Sequence, residues 1–165
     1  MKEIKIRAWD KKAKEMLFSF NECLMGFEGD SSFHMVKYYE YGNYEESVPL
    51  ILMLYTGIYD KNGDEVFVGD ILILPDTESE SVDVGIGVDV KVAETQVNTL
   101  AEVVMKNGSF GVEVYEAGEE WPKGFTAFIN SDYSAWHTDD LSELEAVIEI
   151  CGNIHEDSHL LNKEQ

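Results

Sequence analysis

One motif in the sequence has residue types and spacing that could hold a catalytic metal. Residues 155–159 read HEDSH and match the HExxH pattern. On a helix, this pattern places two histidines on one face to bind zinc, with the glutamate as a base. Gly152 and Asn153 stand directly before the motif and favour a turn, and the other histidines, His34 and His137, are distant in sequence. We therefore predict a solvated tail, with no metal ligands and no cofactor.

A second segment, residues 60–64 (DKNGD), resembles part of a calcium-binding loop. An EF-hand loop needs glycine at its sixth position and glutamate at its twelfth. Here Gly63 is fourth and Ile71 is twelfth. Asn-Gly is instead the strongest short signal for a tight hairpin turn. The segment therefore predicts a hairpin and not an ion site.

The remaining nucleophiles form no catalytic pattern. Cys23 and Cys151 have no cysteine or histidine close by, and Cys151 lies in an apolar segment that favours a buried thiol. The sequence holds no G-x-S-x-G elbow, no P-loop and no G-x-G-x-x-G unit. We predict no catalytic residue and no enzymatic activity.

Turn residues divide the chain into many short apolar segments, a pattern typical of an antiparallel β protein. Thr56-Gly57 and Pro75 are expected to end strands, and 76–81 to form a flexible loop before an edge strand. Residues 21–47 stay undecided, although Tyr38, Tyr39, Tyr41 and Tyr44 suggest a half-buried sheet face. The predicted strands are 2–9 and 15–20 as a hairpin, 50–55, 66–68, 70–74, 82–92, two within 101–115 around Asn107-Gly108, 125–129 and 147–150.

These segments predict a mostly β fold (β or α+β) of short antiparallel strands. The candidate strands between Gly69 and Ile154 suit a small, SH3-like, partly open barrel. We place this barrel in a region 69–165 with a short C-terminal tail, and a smaller sheet in a region 1–68. One helical turn is expected at 141–144, because Ser142 and Glu145 have the spacing of a capping box.

Charge excludes several classes of partner. The chain carries 33 acidic and 12 basic side chains, a net charge of −21. Half of the basic residues lie within the first fourteen, so no later cluster could bind phosphates. Nucleic acids and anionic membranes are therefore disfavoured as direct partners. The acid excess has two readings that the sequence leaves open: solubility, or mimicry of nucleic acid toward a basic protein.

The expected location is the cytosol. No apolar run approaches the roughly 18 residues that cross a bilayer. The N-terminal residues lack the apolar stretch of a secretory signal. The apolar share of 44% is sufficient for a folded core.

Three segments together resemble the YopX family of bacteriophages and prophages. Residues 5–10 (KIRAWD) resemble its opening, residues 54–71 (LYTGIYDKNGDEVFVGDI) its long central signature, and residues 150–156 (ICGNIHE) its closing segment. Their order and positions extend the resemblance over essentially the whole chain. The sequence departs from the family in its acidic stretch 76–98 and in Met53.

The resemblance implies a phage-encoded, mostly β protein of the bacterial host cytoplasm, and it supplies no catalytic residue. It also weakens the zinc hypothesis, because His155 falls where the family usually has tyrosine. We expect a protein that binds an unknown host or phage protein, with self-association left open and a DNA-mimic inhibitor as the alternative. The candidate structural residues on the signature are Arg7, Trp9, Tyr55, Thr56, Gly57, Asp60, Asn62, Gly63, Gly69, Asp70, Gly152 and Asn153.

Arg7 is the only arginine among many acids. Because arginine binds carboxylates through two parallel hydrogen bonds, we hypothesise a buried pair with Asp60 or Asp70, with Trp9 packed beside it. Unchanged thermal stability of an Arg7→Met variant would refute that pair.

Overall fold

The computed structural model describes residues 5–18, 23–27, 33–41, 44–83, 89–116, 121, 123–128 and 141–161. Within these residues the secondary structure is twelve β-strands, one α-helix and one 3₁₀ helix, so the protein is mostly β, as predicted. The chain forms two compact units, Met1–Tyr55 and Thr56–Gln165. The predicted division at 68/69 falls inside the second unit. The described helices are too short to cross a membrane.

The first unit contains two antiparallel sheets. The sheet orders are β2-β1-β6 and β3-β4-β5. The predicted N-terminal hairpin is confirmed, with Ala8 opposite Leu17 and Asp10 opposite Glu15. Ala8, Met35 and Leu50 form the buried centre of this unit. Its strands are β1 (Ile6–Asp10), β2 (Glu15–Leu17), β3 (Cys23–Phe27), β4 (Phe33–Tyr41), β5 (Tyr44–Pro49) and the first part of β6 (Ile51–Tyr59).

The undecided stretch 21–47 contributes the strands β3, β4 and the start of β5. The four tyrosines of the expected sheet face stand on β4 and β5. Their side chains, like that of Cys23, lie outside the described residues.

The second unit is built on a curled, half-barrel sheet with the order β11-β10-β9-β8-β12. The predicted single strand 82–92 is wrong, because Val82 and Asp83 lie opposite Val90 and Asp89 on two paired strands. Strand β7 lies beside the end of β6. The elements are β7 (Glu65–Phe67), β8 (Asp70–Asp83), β9 (Asp89–Lys106), β10 (Ser109–Val114), β11 (Gly124–Ala127), α1 (Leu141–Glu145), β12 (Glu149–Asn153) and a 3₁₀ helix (Ser158–Leu161). The buried core is Ile58, Val66, Leu72, Leu74, Ala101, Val103, Val112, Val114, Trp121, Leu144 and Ile148.

The strand ends expected at Thr56-Gly57 and Pro75 are wrong. Strand β6 continues to Tyr59, and Gly57 within it adopts a positive φ of 94°. Strand β8 runs through Pro75 to Asp83, so the expected loop 76–81 is a strand. Proline is tolerated there because the pairing of β8 with β12 ends at Ile73. Beyond that point β8 is an edge strand, where a missing N–H removes no ladder bond.

The turn predictions have mixed outcomes. Asn107 and Gly108 connect β9 and β10 with positive φ values of 52° and 80°, as a tight hairpin of this type requires. The predicted helical turn is α1, but the capping box is wrong. Ser142 is the second residue of the helix, and the Glu145 carboxylate accepts a hydrogen bond from the backbone N–H of Tyr59 at 2.9 Å.

Candidate functional site

The central signature places one buried carboxylate inside the loop between β6 and β7. Asp60 Oδ1 accepts hydrogen bonds from the backbone N–H groups of Asn62 at 2.8 Å and Asp64 at 2.9 Å. Oδ2 accepts from the Asn62 side-chain amide and from the backbone N–H of Ile150, both at 3.2 Å. Gly63 has a φ of 86°, and its N–H donates to the Asp60 carbonyl. The hairpin prediction is thus confirmed, and Asp60 serves as its internal cap.

The environment of Asp60 keeps it ionised. Burial raises the pKa of its carboxyl, but the hydrogen bonds from Asp64, Ile150 and Asn62 outweigh burial, so the pKa lies below the ordinary 3.8. An anion stabilised in this way is a poor general acid or base at neutral pH. Asp60 therefore stabilises the fold and is not placed for proton transfer.

Asp70 and Gly69 connect the signature to two other strands. Asp70 Oδ2 accepts a hydrogen bond from the backbone N–H of Phe67 at 2.8 Å. Gly69 has a φ of 88°. Its N–H donates to the carbonyl of Val103 at 2.7 Å, and its carbonyl accepts from the N–H of Ile154 at 2.9 Å. The short break between β7 and β8 thus holds β9 and the closing segment together.

Asn153 organises the turn that begins the HExxH segment. Its Oδ1 accepts from the backbone N–H groups of His155 at 3.0 Å and Glu156 at 3.1 Å. Its own N–H donates to Asp157 Oδ2 at 3.1 Å. His155 lies in this turn and His159 in the 3₁₀ helix, so the two are not on one α-helical face. Within the described part of the chain, His, Cys, Asp and Glu side chains form no group that could hold a metal ion.

Thr56 lies at an apolar cavity in the second unit. Its hydroxyl donates to the carbonyl of Val66 at 2.8 Å. The cavity has a volume of about 220 Å³. It is lined by Thr56, Ile58, Gly108, Ser109, Phe110 and Phe128, none of which titrates near neutral pH. The described residues of the lining therefore supply no acid, base or metal ligand.

The N-terminal candidates lie in the first unit. Trp9 is buried on β1, and Tyr55 receives a contact from the Lys5 ammonium, 5.4 Å from the ring centroid. Arg7 is half-buried opposite Met53. The hypothesised pair with Asp60 or Asp70 would join two units and stays a prediction.

The thiol of Cys151 is held in an unreactive state. Its Sγ donates a hydrogen bond to the carbonyl of Ile71 at 3.4 Å. Burial raises the pKa of the thiol, and the charges of Asp157 and Glu149 raise it further. A protonated thiol is a weak nucleophile, so Cys151 is a packing residue, as its apolar surroundings predict.

The most prominent exposed feature is a two-stranded arm, residues 74–83 of β8 and 89–100 of β9. The pairing of β8 with β12 ends at Ile73, and the pairing of β9 with β10 ends at Ala101. Beyond those points the two strands pair with each other as far as Asp83 and Asp89. The exposed residues of the arm are Glu78, Glu80, Ser81, Lys91, Ala93, Glu94, Thr95, Gln96 and Asn98.

The base of the arm is fixed by buried polar contacts. The Trp121 Nε1–H donates to the carbonyl of Pro75 at 2.9 Å. Asp76, which is 1% exposed, accepts from the Thr99 hydroxyl at 2.6 Å and from the Thr77 N–H at 2.8 Å. The arm is therefore anchored to the core at its base, whereas Glu78, Glu80 and Ser81, further along β8, are exposed. Sequence periodicity missed it because Pro75 and the acids of 76–81 resemble a loop.

A second exposed feature is the lysine edge of the first unit, which we define as the turn 11–14, strand β2 and Phe18. The buried Asp10 carboxylate accepts from the backbone N–H groups of Lys12 at 2.9 Å and Ala13 at 3.0 Å. Lys14 closes the turn with a φ of 56°. Residues 11–14 are all exposed, and Phe18 is 72% exposed. The fold thus presents three lysines on a turn held from below by a buried acid.

Comparisons with known proteins agree with this architecture. A family model described as YopX protein matches residues 5–162. The crystal structure of protein EF1440 from Enterococcus faecalis is similar in fold, with a TM-score of 0.52 and 21% sequence identity. The match covers 98% of this chain and 100% of that chain. No curated protein matches.

Proposed function

The chain belongs to the YopX family, and from this membership and its exposed arm we propose that it acts by binding another protein. As the resemblance of its signature segments implies, we place this activity in the cytoplasm of a bacterial host, with a phage or prophage as the source. The partner is a host or phage protein, and the arm is the surface that contacts it.

The strand pairing of the arm is the observation that supports the proposal. Beyond Ile73 and Ala101, β8 and β9 pair with each other, and no third strand of the described residues pairs with either of them. An isolated two-stranded ribbon is marginally stable in water, and exposed strand edges readily accept another strand. Addition of a strand provides main-chain hydrogen bonds for affinity and side-chain contacts for specificity. A strand from a partner would therefore stabilise the arm along edges where this chain supplies no neighbouring strand among the described residues.

The charge of the arm indicates which charge the contacting surface of the partner carries. From Glu78 to Glu94 the sequence carries five acidic and one basic side chains. Like charges placed opposite each other on neighbouring strands are destabilising. Two arms that pair edge to edge would bring their acids together, whereas a basic segment would neutralise them. We infer that the contacting surface is basic.

A DNA-mimic inhibitor is the second candidate, favoured by the net charge of −21. The charge density of the arm argues against the arm as the mimic. Glu78 to Asp83 spans about 17 Å of strand, and duplex DNA of that length carries about ten negative charges. Over that length the two paired strands of the arm carry five acidic and one basic side chains, a net charge of −4, so mimicry would need carboxylates from elsewhere on the molecule.

Affinity capture from bacterial host cells tests the proposal. The bait is compared with a Glu78→Lys/Glu80→Lys variant and with a control, Glu116→Lys/Glu143→Lys, which changes the same charge at exposed positions outside the arm. We expect a protein that presents a basic surface to be retained by the wild type and the control and lost from the arm variant. Circular dichroism melting checks that all three are folded. Equal retention by all three would contradict a role for the arm.

A further inference from the structure

We propose that the partner surface for the arm is the lysine edge of a second copy of this chain. This inference rests on the proposed function, because it names the protein that the arm binds. It assigns one assembly contact between two different surfaces of identical chains: the acidic arm of one copy and the lysine edge of the next, whose lysines stand on the turn before β2.

The lysine edge has the backbone geometry that an extended partner needs. β2 stands at the end of its sheet, so in the described part of the chain its outer main-chain groups face no further strand. An edge strand can accept the edge of the arm as a neighbour. Phe18, directly after β2, is 72% exposed and would lose water-accessible apolar surface in such a contact.

Charge complementarity identifies this edge as the basic surface that fits the arm. After residue 20 the chain carries six lysines and no arginine. Four of these lysines already contact carboxylates of this chain: Lys37, Lys61, Lys91 and Lys106. In the described residues, no ion pair involves Lys11 or Lys14, which stand exposed on the turn. The strongest basic cluster and the projecting acidic ribbon are therefore complementary surfaces of the same molecule.

The turn is also held in one shape before binding. Asp10, 0% exposed, fixes it through two backbone hydrogen bonds. Lys37 supports Asp10 from β4, with its Nζ 3.6 Å from Asp10 Oδ2. Preorganisation lowers the entropic cost of association. A rigid turn therefore lets the exposed lysines, each of which would bind weakly alone, contribute together to the affinity.

The two surfaces differ, so the contact is heterologous. Each copy offers one arm and one lysine edge, and such contacts close into rings or continue as open chains. We therefore expect assemblies larger than a dimer, formed at about 0.15 M salt. At that ionic strength the Debye length is about 8 Å, so long-range repulsion between the acidic copies is screened while direct contacts persist.

Sedimentation velocity over a range of protein concentrations tests the inference with charge-swapped variants. The arm variant is Glu78→Lys/Glu80→Lys, and the edge variant is Lys11→Glu/Lys14→Glu. We expect each variant alone to associate at least about tenfold more weakly than the wild type. The combined variant, in which the charges at the substituted positions of both surfaces are exchanged, should return to within about threefold of the wild type.

The control Glu116→Lys/Glu143→Lys distinguishes the effect of charge on the arm from the effect of the net charge of the whole chain. It removes as much negative charge as the arm variant, so if only overall repulsion mattered, both would associate more strongly than the wild type. The inference instead requires the arm variant to weaken and the control to retain association. A wild type that stays monomeric at all concentrations, or a combined variant that fails to recover, overturns it.

The two proposals fail in different ways. If the wild type does not associate but its arm still retains a different basic protein in the capture experiment, the self-association inference is wrong and the proposed function stands. If the arm variants change neither self-association nor capture, both are wrong.

Discussion

The Asp60 carboxylate accepts a hydrogen bond at 3.2 Å from the backbone N–H of Ile150, ninety residues further along the chain. Beside it, the N–H of Lys61 donates to the carbonyl of Ile148 at 3.0 Å. These two bonds join the central signature to the start of the closing segment. Asp60 therefore has two structural roles: it caps its own hairpin loop, and it binds the backbone of β12 at Ile150.

Replacement of Asp60 by alanine should be strongly destabilising. The change removes the acceptor of the partly buried hydrogen bonds from the N–H groups of Asn62, Asp64 and Ile150, and each lost bond of this kind to a charged group costs about 1–3 kcal/mol. We expect the free energy of unfolding to fall by about 3 kcal/mol in urea titration. Asp64→Ala is the matched control, because it alters an exposed carboxylate in the same loop and keeps the backbone bonds. A similar loss in both variants would contradict the role assigned to Asp60.

Stability should depend on the ionisation of Asp60 in acid. A carboxyl whose pKa is lowered on folding contributes its full stabilisation above its unfolded pKa, and that contribution is lost as pH falls through the folded pKa. We expect the difference in unfolding free energy between the wild type and Asp60→Asn to be constant from about pH 7 to pH 5 and to shrink below about pH 4. Urea titrations across this range measure it. A difference that grows toward low pH would show that the pKa is raised.

The features that the sequence predicts well are those determined by neighbouring residues. Asn107-Gly108 specifies a hairpin turn because both residues tolerate positive φ. Asp60 lies two and four residues before the N–H groups that it caps, a local spacing typical of an Asp side chain that stabilises a turn. The N-terminal hairpin follows from simple alternation of apolar and polar side chains.

The features that the sequence does not predict depend on contacts between distant segments. Pro75 and the acids after it read as a loop, because nothing local shows that β8 has become an edge strand there. The buried position of Asp10 depends on β4, whose Lys37 supplies the opposite charge. Asp76 likewise depends on Thr99 of the paired strand. The exposed strand edges that support the proposed function begin where strand pairing ends. The alternation of apolar and polar residues in the sequence does not show where that is.

Gly111 is a further residue whose role comes from a distant strand. A Cβ placed there would stand 2.2 Å from the backbone carbonyl oxygen of Thr126, closer than atoms can approach. We expect Gly111→Ala to lower the unfolding free energy by about 3 kcal/mol, because β11 would have to move. Gly108→Ala is the comparison: its Cβ would meet open space, and its positive φ costs about 1–2 kcal/mol. Equal losses from both variants would mean that β11 moves freely.

The closing segment offers a test of direct coupling between two side chains. A Cβ at Gly152 would lie 2.5 Å from Asp157 Oδ2 and 2.9 Å from its Cβ, so Gly152→Ala must displace the carboxylate that accepts from the N–H of Asn153. We expect Gly152→Ala to cost about 2 kcal/mol and Asp157→Ala about 1 kcal/mol in unfolding free energy. Because both changes disrupt one contact, the double variant should cost less than the two single losses together, by about 1 kcal/mol. Ser158→Ala, at the exposed next position, is the control: its loss of unfolding free energy should simply add to that of Gly152→Ala. If the losses from Gly152→Ala and Asp157→Ala are also strictly additive, the Asp157 carboxylate moves aside at no cost and the two side chains are not coupled.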